Sequence, residues 1–147
     1  MKSTLSAAFI AFIILSSLRA HCFAEESRYQ VVIEESYYKV RPEHEDEFLD
    51  LYKKKIFPFW KEVEKMGLTD GEIRMYTQRI HTLQPSWTFK TVVRFKDYAA
   101  IDKWLKKRDE IFIKLFPEEG RYKKFGRKIM TITQEHWDEF IREISLE

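Results

Sequence analysis

Apolar side chains recur with two different periods along the chain, and the two periods predict strands and helices. Residues 29–40 are rich in β-branched and aromatic side chains, which is typical of a strand. Residues 43–65 carry apolar side chains at steps of three and four, which indicates one buried face of a helix. Pro58 lies inside this helix and removes one of its hydrogen bonds, so we expect a kink or a break near Lys55. Gly67 suits the left-handed position that ends a helix.

The middle of the chain predicts two strands and a second helix. Residues 72–80 read as a second strand, and residues 87–95 alternate strictly between two faces of a third. Asp97 is placed to cap a helix over residues 98–116. The apolar stripe of that helix includes Trp104 and Phe112, which we predict to lie in the core.

The last part of the chain predicts a short strand followed by a closing helix. Residues 117–126 form a polar connection, and residues 127–133 read as a fourth strand. Residues 133–144 place Trp137 and other apolar side chains at helical spacing, which predicts a C-terminal helix.

The predicted order of elements is β-α-β-β-α-β with a C-terminal helix, which gives an α+β fold of the ferredoxin-like type. In this fold one antiparallel sheet carries two helices on one face. The predicted strands have apolar or aromatic side chains on both faces, whereas a sheet face in contact with water is usually more polar. We therefore expect a second copy of the chain to cover the open face in a homodimer, because most homo-oligomers are two-fold dimers.

The N-terminal segment has the composition of an export signal. Lys2 precedes a 14-residue apolar run from Leu5 to Leu18, and the segment ends in Ala24 before two glutamates. This arrangement predicts a signal peptide over residues 1–24 and a single domain over residues 25–147, located in the periplasm or secreted. Two alternatives stay open, an uncleaved N-terminal anchor and lipid modification of Cys22. After cleavage we expect no stable membrane span.

Charge and cysteine content exclude several classes of function for the cleaved chain. Removal of Lys2 and Arg19 from 26 basic and 24 acidic residues leaves 24 of each, so the net charge is zero. A neutral domain lacks the basic surface that nucleic acid requires. Cys22 is the single cysteine and lies in the signal, so the mature chain has neither a thiolate nucleophile nor a cysteine-based metal site.

Three segments resemble the dimeric α/β-barrel proteins of the ferredoxin-like superfamily. The run ESYYKVRP at residues 35–42 and the run DEFLDLY at residues 46–52 resemble the start of these proteins, and residues 87–100 are similar to their third strand and second helix start. The superfamily includes antibiotic-biosynthesis-type monooxygenases, haem-degrading oxygenases, EthD-like proteins and NIPSNAP-like proteins. The resemblance covers residues 29–134 and is greatest to uncharacterised exported members. It implies a pocket between the sheet and the helices of each subunit, and it carries no diagnostic catalytic motif.

A group of polar-tipped aromatic and cationic side chains on the predicted strands forms the first candidate ligand site. Its members are Tyr37, Tyr76, Arg79, Trp87 and Arg94. We expect them to face a cavity or the dimer interface, where an aromatic wall with a few positive charges suits a planar anionic or phenolic ligand. In the alternative interpretation the aromatic residues pack in the core or interface, and the arginines pair with Glu34 or Glu72 across the sheet. Trp60 lies beside Pro58 and lines either a pocket mouth or the core.

The three histidines outside the signal have different expected roles. His81 follows the second strand and is a candidate acid–base group or axial ligand, with a surface loop position as the alternative. His44 lies among acids at a helix start, where a solvated position is expected. His136 is expected on the surface of the closing helix. We predict no metal site.

The sequence predicts a small-molecule-binding dimer with an aromatic pocket and no assigned catalytic residue or cofactor. One alternative is a cofactor-free or haem-linked monooxygenase-type enzyme that acts on an aromatic or enolisable substrate. Another is a protein-interaction domain whose exposed sheet binds a partner. The sequence does not decide whether the chain is an enzyme, since no catalytic triad, phosphate loop or paired carboxylate site stands out.

Overall fold

The structure is a computed structural model that describes residues 30–78, 86–144 and 146. The expected signal peptide over residues 1–24 lies outside the described residues, as do Arg79 and His81. Within the described ranges, no helix has both the length and the apolar character that crossing a bilayer requires.

Four strands form one antiparallel sheet in the order β2-β3-β1-β4. The strands are β1 (Val32–Val40), β2 (Arg74–Thr77), β3 (Phe89–Phe95) and β4 (Thr133–Arg142). The central strand β1 pairs with β3 on one side and with β4 along its whole length on the other. This topology confirms the α+β, ferredoxin-like fold predicted from the sequence.

The helical segments are α1 (Glu45–Leu51), α2 (Phe57–Lys65), α3 (Tyr98–Leu115) and α4 (Tyr122–Thr131). A π-helical turn, Tyr52–Ile56, joins α1 to α2 at the place where the sequence predicts a kink or a break. Pro58 lies in the first turn of α2, directly after the π-helical turn, where its missing N–H and its ring interrupt the regular hydrogen-bond pattern of the helix. Asp97 caps α3 by accepting a hydrogen bond from the backbone N–H of Ala100. Gly67, with a φ of 69°, follows α2 in the expected left-handed conformation.

The core fills the space between one face of the sheet and the helices. Val32 and Val40 of β1 and alternate residues of β3 from Phe89 to Phe95 are buried on this face. Trp104 and Phe112 of α3 are 6% and 0% exposed, which confirms their predicted place in the core. Aromatic rings dominate the packing, for example Phe48 stacked on Phe89 with ring centroids 5.1 Å apart.

The structure corrects the prediction for the C-terminal part of the chain. Residues 133–144, predicted as a helix, contain strand β4, and the predicted connection and fourth strand contain helix α4 instead. The apolar side chains Tyr122, Phe125, Ile129 and Ile132 follow a helical period that Gly126 obscured in the sequence. In β4, pairing with every residue of β1 from Val32 to Val40 overrides the local helical spacing. The additional helix therefore precedes the fourth strand.

Candidate functional site

A cavity of about 490 Å³ lies between the sheet and the helices. Its floor is formed by side chains of β1, β3 and β4, and its walls by the π-helical turn and helices α2, α3 and α4. This volume lies within the range of about 300–1,000 Å³ that is usual for small-molecule sites. The cavity therefore has the position that the resemblance implies and the size that a small ligand requires.

Polar side chains line the floor of the cavity, although this face of the sheet is otherwise apolar. Alternation along β1 directs Glu34, Ser36 and Tyr38 to the same face as the buried Val32 and Val40. On the neighbouring strand β4, His136 pairs with Tyr38 in register and Asp138 pairs with Ser36. Two carboxyl groups, a hydroxyl and an imidazole therefore meet on one side of the cavity.

Glu34 is the most unusual of these groups, because it is only 9% exposed and its Oε2 atom has no hydrogen-bond partner among the described residues. Burial and repulsion by Asp138 raise the pKa of the Glu34 carboxyl to about 7, and His136 opposes them with a smaller effect. A buried polar group without a partner costs free energy. A ligand that hydrogen-bonds this carboxyl would remove that cost.

The pKa of Asp138 is shifted in the opposite direction from that of Glu34. Burial raises the pKa of its carboxyl, but hydrogen bonds from His136 and Ser36 outweigh burial and lower the pKa below its ordinary value. The His136 Nε2 atom lies 3.3 Å from Asp138 Oδ1, and the imidazole ring packs on Tyr38 with centroids 4.6 Å apart. Asp138 is therefore charged at neutral pH, while Glu34 exchanges a proton in that range.

Aromatic side chains form the walls of the cavity. They are Tyr38, Tyr52, Trp60, Trp104 and Tyr122. Trp60 and Trp104 stack with centroids 5.3 Å apart and planes inclined by 20°. Burial is the main cause that raises the pKa values of Tyr38, Tyr52 and Tyr122 above the ordinary tyrosine value. The three phenols therefore keep their protons and remain available as hydrogen-bond donors.

Three cationic side chains, Arg108, Lys123 and Arg127, also line the cavity. The Arg108 guanidinium lies 5.7 Å from the centre of the Trp104 ring and 6.0 Å from that of Tyr122. In the part of the chain that the structure describes, none of the three forms a salt bridge with an acidic side chain. The Nε1 atom of Trp104 has no hydrogen-bond partner there either. The three cationic groups together supply positive charge to an incoming ligand.

The structure places the predicted ligand residues on two different faces of the sheet. Trp60 lines the cavity, whereas alternation puts Tyr37, Tyr76 and Arg94 on the opposite face of the sheet, away from the helices that the structure describes. Trp87 packs edge-on against Tyr37, with centroids 6.0 Å apart. The sequence offered a cavity or the dimer interface for these side chains. Tyr37, Tyr76 and Arg94 lie outside the cavity, and both ligand binding and dimer contacts by them stay predictions.

Contacts on the open face link aromatic and charged side chains. Tyr37 stacks on Trp137 with centroids 5.0 Å apart and planes inclined by 8°. Lys90 bonds Glu35 at 3.0 Å and lies 5.5 Å from the centre of the Tyr76 ring. Arg94 pairs with Asp70 and Glu143 rather than with Glu34 or Glu72.

The sequence prediction missed most of the residues that line the cavity. Glu34 and Ser36 carried a readable signal, since they are polar residues on the face of β1 that also carries Val32 and Val40. His136 and Asp138 were missed because residues 133–144 were predicted as a helix, whereas strand β4 directs both side chains toward the cavity. His136 is exposed, as the sequence predicted. His44 lies outside the cavity, where its Nδ1 contacts Glu47 at 3.0 Å. Within the described ranges, no group of three or more His, Cys, Asp or Glu side chains is placed to hold a metal ion.

Comparison with known proteins identifies the fold. No protein-family model matches the chain, and no curated protein matches it. A NIPSNAP family protein from Agrobacterium tumefaciens has a TM-score of 0.56 at 11% identity, over 82% of this chain and 91% of that one. This chain has the fold of NIPSNAP family proteins. A second NIPSNAP family protein from the same organism has a TM-score of 0.54 at 11% identity, over 81% and 93% of the two chains.

A third similar structure, a conserved protein from Methanosarcina mazei Go1, has a TM-score of 0.51 at 17% identity, over 79% of this chain and 95% of that one. These comparisons confirm the resemblance stated from the sequence at the level of the fold. Because a fold hosts many functions, the chemistry must be argued from the residues of the cavity.

Proposed function

We propose that the protein binds a small, planar aromatic molecule with an acidic group in the cavity between sheet and helices. The observation that carries this proposal is the buried Glu34 carboxyl, which lines an aromatic-walled cavity and leaves Oε2 without a partner. Pockets of this kind combine apolar walls with a few polar anchors that orient the ligand.

The charges around the cavity favour an anionic or neutral ligand over a cationic one. Arg108, Lys123 and Arg127 repel an amine and attract a carboxylate. Glu34 then hydrogen-bonds a hydroxyl or another donor elsewhere on the ligand, and flat rings pack against Trp60 and Trp104.

Calorimetric titration with phenylpyruvate tests the proposal, with phenethylamine as the cationic comparison. We expect phenylpyruvate to bind and phenethylamine to bind at least tenfold more weakly. Replacement of Arg108 by Gln removes a charge-assisted contact worth about 1.5–3 kcal/mol and weakens phenylpyruvate binding roughly tenfold or more. Lys106→Gln is the matched control, because it makes the same charge change on an exposed position of α3.

Equal affinity for the amine and the acid, or an Arg108→Gln variant that binds phenylpyruvate as tightly as the Lys106→Gln control, would contradict the proposal. Both probes carry a phenyl ring, so the comparison contrasts an anionic side chain with a cationic one.

We also propose that the open face of the sheet binds a second copy of the chain. Tyr37, Trp87 and Trp137 form an aromatic cluster on this face. Ile141, which is 41% exposed, shares the face with them. Such a two-sided sheet is stable in water when a partner covers its second apolar surface.

Export of the protein is a third proposal, and it rests on the composition of residues 1–24. The mass of the protein purified from its host cells tests both export and cleavage. A chain that starts at Glu25 supports export and cleavage, whereas a chain that retains residues 1–24 in the cytosol contradicts them.

A further inference from the structure

We infer that Glu34 acts as a general base on an aromatic carbonyl compound with an acidic C–H bond, so that the protein interconverts the keto and enol forms of its ligand. This inference rests on the proposed function, since it assigns a reaction to the same cavity. It adds a substrate class, the enolisable aromatic carbonyl compounds, and a catalytic residue.

The position of Glu34 fits a proton acceptor better than a structural role. A structural carboxylate is normally paired or solvated, whereas Glu34 is 9% exposed and its Oε2 has no partner among the described residues. The terminal torsion of a glutamate is broad, so either oxygen can turn toward the cavity. A general base works best when its pKa lies near the working pH, and the pKa of Glu34 is raised to about 7.

The opposite wall supplies hydrogen-bond donors for the oxygen on which charge develops. Arg108 lines the cavity beside the Trp104 ring and brings a cationic donor to it. Tyr52 and Tyr122 keep their phenolic protons because burial raises their pKa values. Donors placed before the reaction around a developing oxyanion stabilise the transition state.

The proton transfer balances without an oxidant, a reductant or a second substrate. The Glu34 carboxylate takes the proton from the carbon next to the carbonyl group, and the electron pair of that C–H bond forms the C=C bond. The carbonyl π pair moves to oxygen, which becomes an enolate held by the donors of the wall. Return of one proton to oxygen gives the enol, and return to carbon gives back the ketone.

Titratable and charged groups reach the cavity from five of the seven elements that line it. They are Tyr38 of β1, His136 and Asp138 of β4, Tyr52 of the π-helical turn, Arg108 of α3, and Tyr122, Lys123 and Arg127 of α4. Hydrogen bonds from His136 and Ser36 hold the pKa of Asp138 below its ordinary value, whereas the pKa of Glu34 is raised to about 7, so Glu34 changes protonation near neutral pH. The rate of enolisation should therefore rise with pH and level off above the pKa of Glu34.

The test is exchange of the benzylic protons of phenylpyruvate in D₂O, followed by proton NMR, with the uncatalysed rate subtracted. We expect the protein to accelerate exchange and Glu34→Gln to lower the catalysed rate about 10²-fold or more, the usual contribution of a general base. Rates are compared at saturating phenylpyruvate, so that a change in the affinity of the variant does not enter the comparison. Glu135→Gln, which removes an exposed carboxyl of β4 that pairs with Lys39, is the matched control.

The outcomes separate this inference from the proposed function. Binding without acceleration, or acceleration that survives in Glu34→Gln, overturns the role of Glu34 and leaves ligand binding in place. Absence of phenylpyruvate binding overturns both. A melting curve of Glu34→Gln excludes misfolding, and Glu34→Asp, which retains a carboxylate at a shorter reach, should recover part of the rate and the pH dependence.

Discussion

Glu34 and Asp138 present two carboxyl groups to one cavity from neighbouring antiparallel strands, and their pKa values are shifted in opposite directions. Asp138 stands opposite Ser36, two residues along β1 from Glu34. Burial and then the charge of Asp138 raise the pKa of Glu34, whereas His136 and Ser36 overcome the burial of Asp138 and lower its pKa. Two carboxyl groups with separated pKa values are typical of sites that hold one proton.

The raised pKa of Glu34 predicts how stability depends on pH. Because the folded-state pKa of about 7 exceeds the ordinary 4.5, the folded state holds an extra proton between these values, and this contribution to stability is lost as the pH rises through them. Glu34→Gln, which resembles the protonated acid, removes this loss. We expect the unfolding free energy of Glu34→Gln relative to that of wild type to increase by up to about 3 kcal/mol as the pH rises from 4 to 8.

Urea unfolding of wild type and Glu34→Gln at several pH values measures this gain. Glu135→Gln, an exposed carboxyl on the same strand as Asp138, should follow the wild type at every pH. A difference between wild type and Glu34→Gln that stays constant with pH would show that Glu34 titrates as an ordinary glutamate.

The stacked rings of Tyr37 and Trp137 lie on the face that we propose as the dimer interface, so their loss should weaken the dimer. Trp137→Ala removes one ring of the stack from the open face, and loss of a central aromatic group from an interface costs about 2 kcal/mol. We expect the dimer dissociation constant, measured by sedimentation equilibrium, to rise roughly 30-fold. Tyr98→Ala removes an exposed ring from helix α3 and should leave it unchanged. A monomeric wild type would contradict the dimer.

Truncation of the buried Phe112 side chain measures how much the core beneath helix α3 contributes to stability. Its side chain is 0% exposed and packs against Phe59, Phe116 and Phe125. Phe112→Ala should lower the free energy of unfolding by about 3–5 kcal/mol, because it removes buried surface and leaves a cavity. The neighbouring Ile113 is 41% exposed, so Ile113→Ala should cost less than about 1.5 kcal/mol. Chemical denaturation of the two variants compares these values, and equal losses would contradict the assigned burial.

The sequence was sufficient to predict the fold because periodicity survives in most elements. The strict alternation of β3 and the apolar stripe of α3 come directly from residues that are buried on one face only. Pro58 marked the interruption of the first helix, which the structure resolves as the π-helical turn Tyr52–Ile56. These features depend only on residues close together in the sequence, so they can be predicted without knowledge of the fold.

The candidate site could be predicted only in part because it depends on pairing between distant strands. His136 and Asp138 reach the cavity through the register of β4 on β1, and no local pattern specifies that register. Glu34 is recognisable in the sequence as a polar residue at an inward position of β1, but its burial depends on neighbours from other elements. Trp60 was assigned to a pocket mouth or the core, and it takes part in both, since it is 6% exposed and lines the cavity.

The four tryptophans allow one measurement to test the central claim that the cavity binds the ligand. Trp60 and Trp104 line the cavity, whereas Trp87 and Trp137 contact Tyr37 on the open face. Indole N–H signals in a ¹H–¹⁵N NMR spectrum, assigned with single Trp→Phe variants, report both surfaces during a titration with phenylpyruvate at constant protein concentration. Ligand binding in the cavity should shift the signals of Trp60 and Trp104 and leave those of Trp87 and Trp137 in place. Shifts confined to Trp87 and Trp137, or no shifts at all, would contradict it.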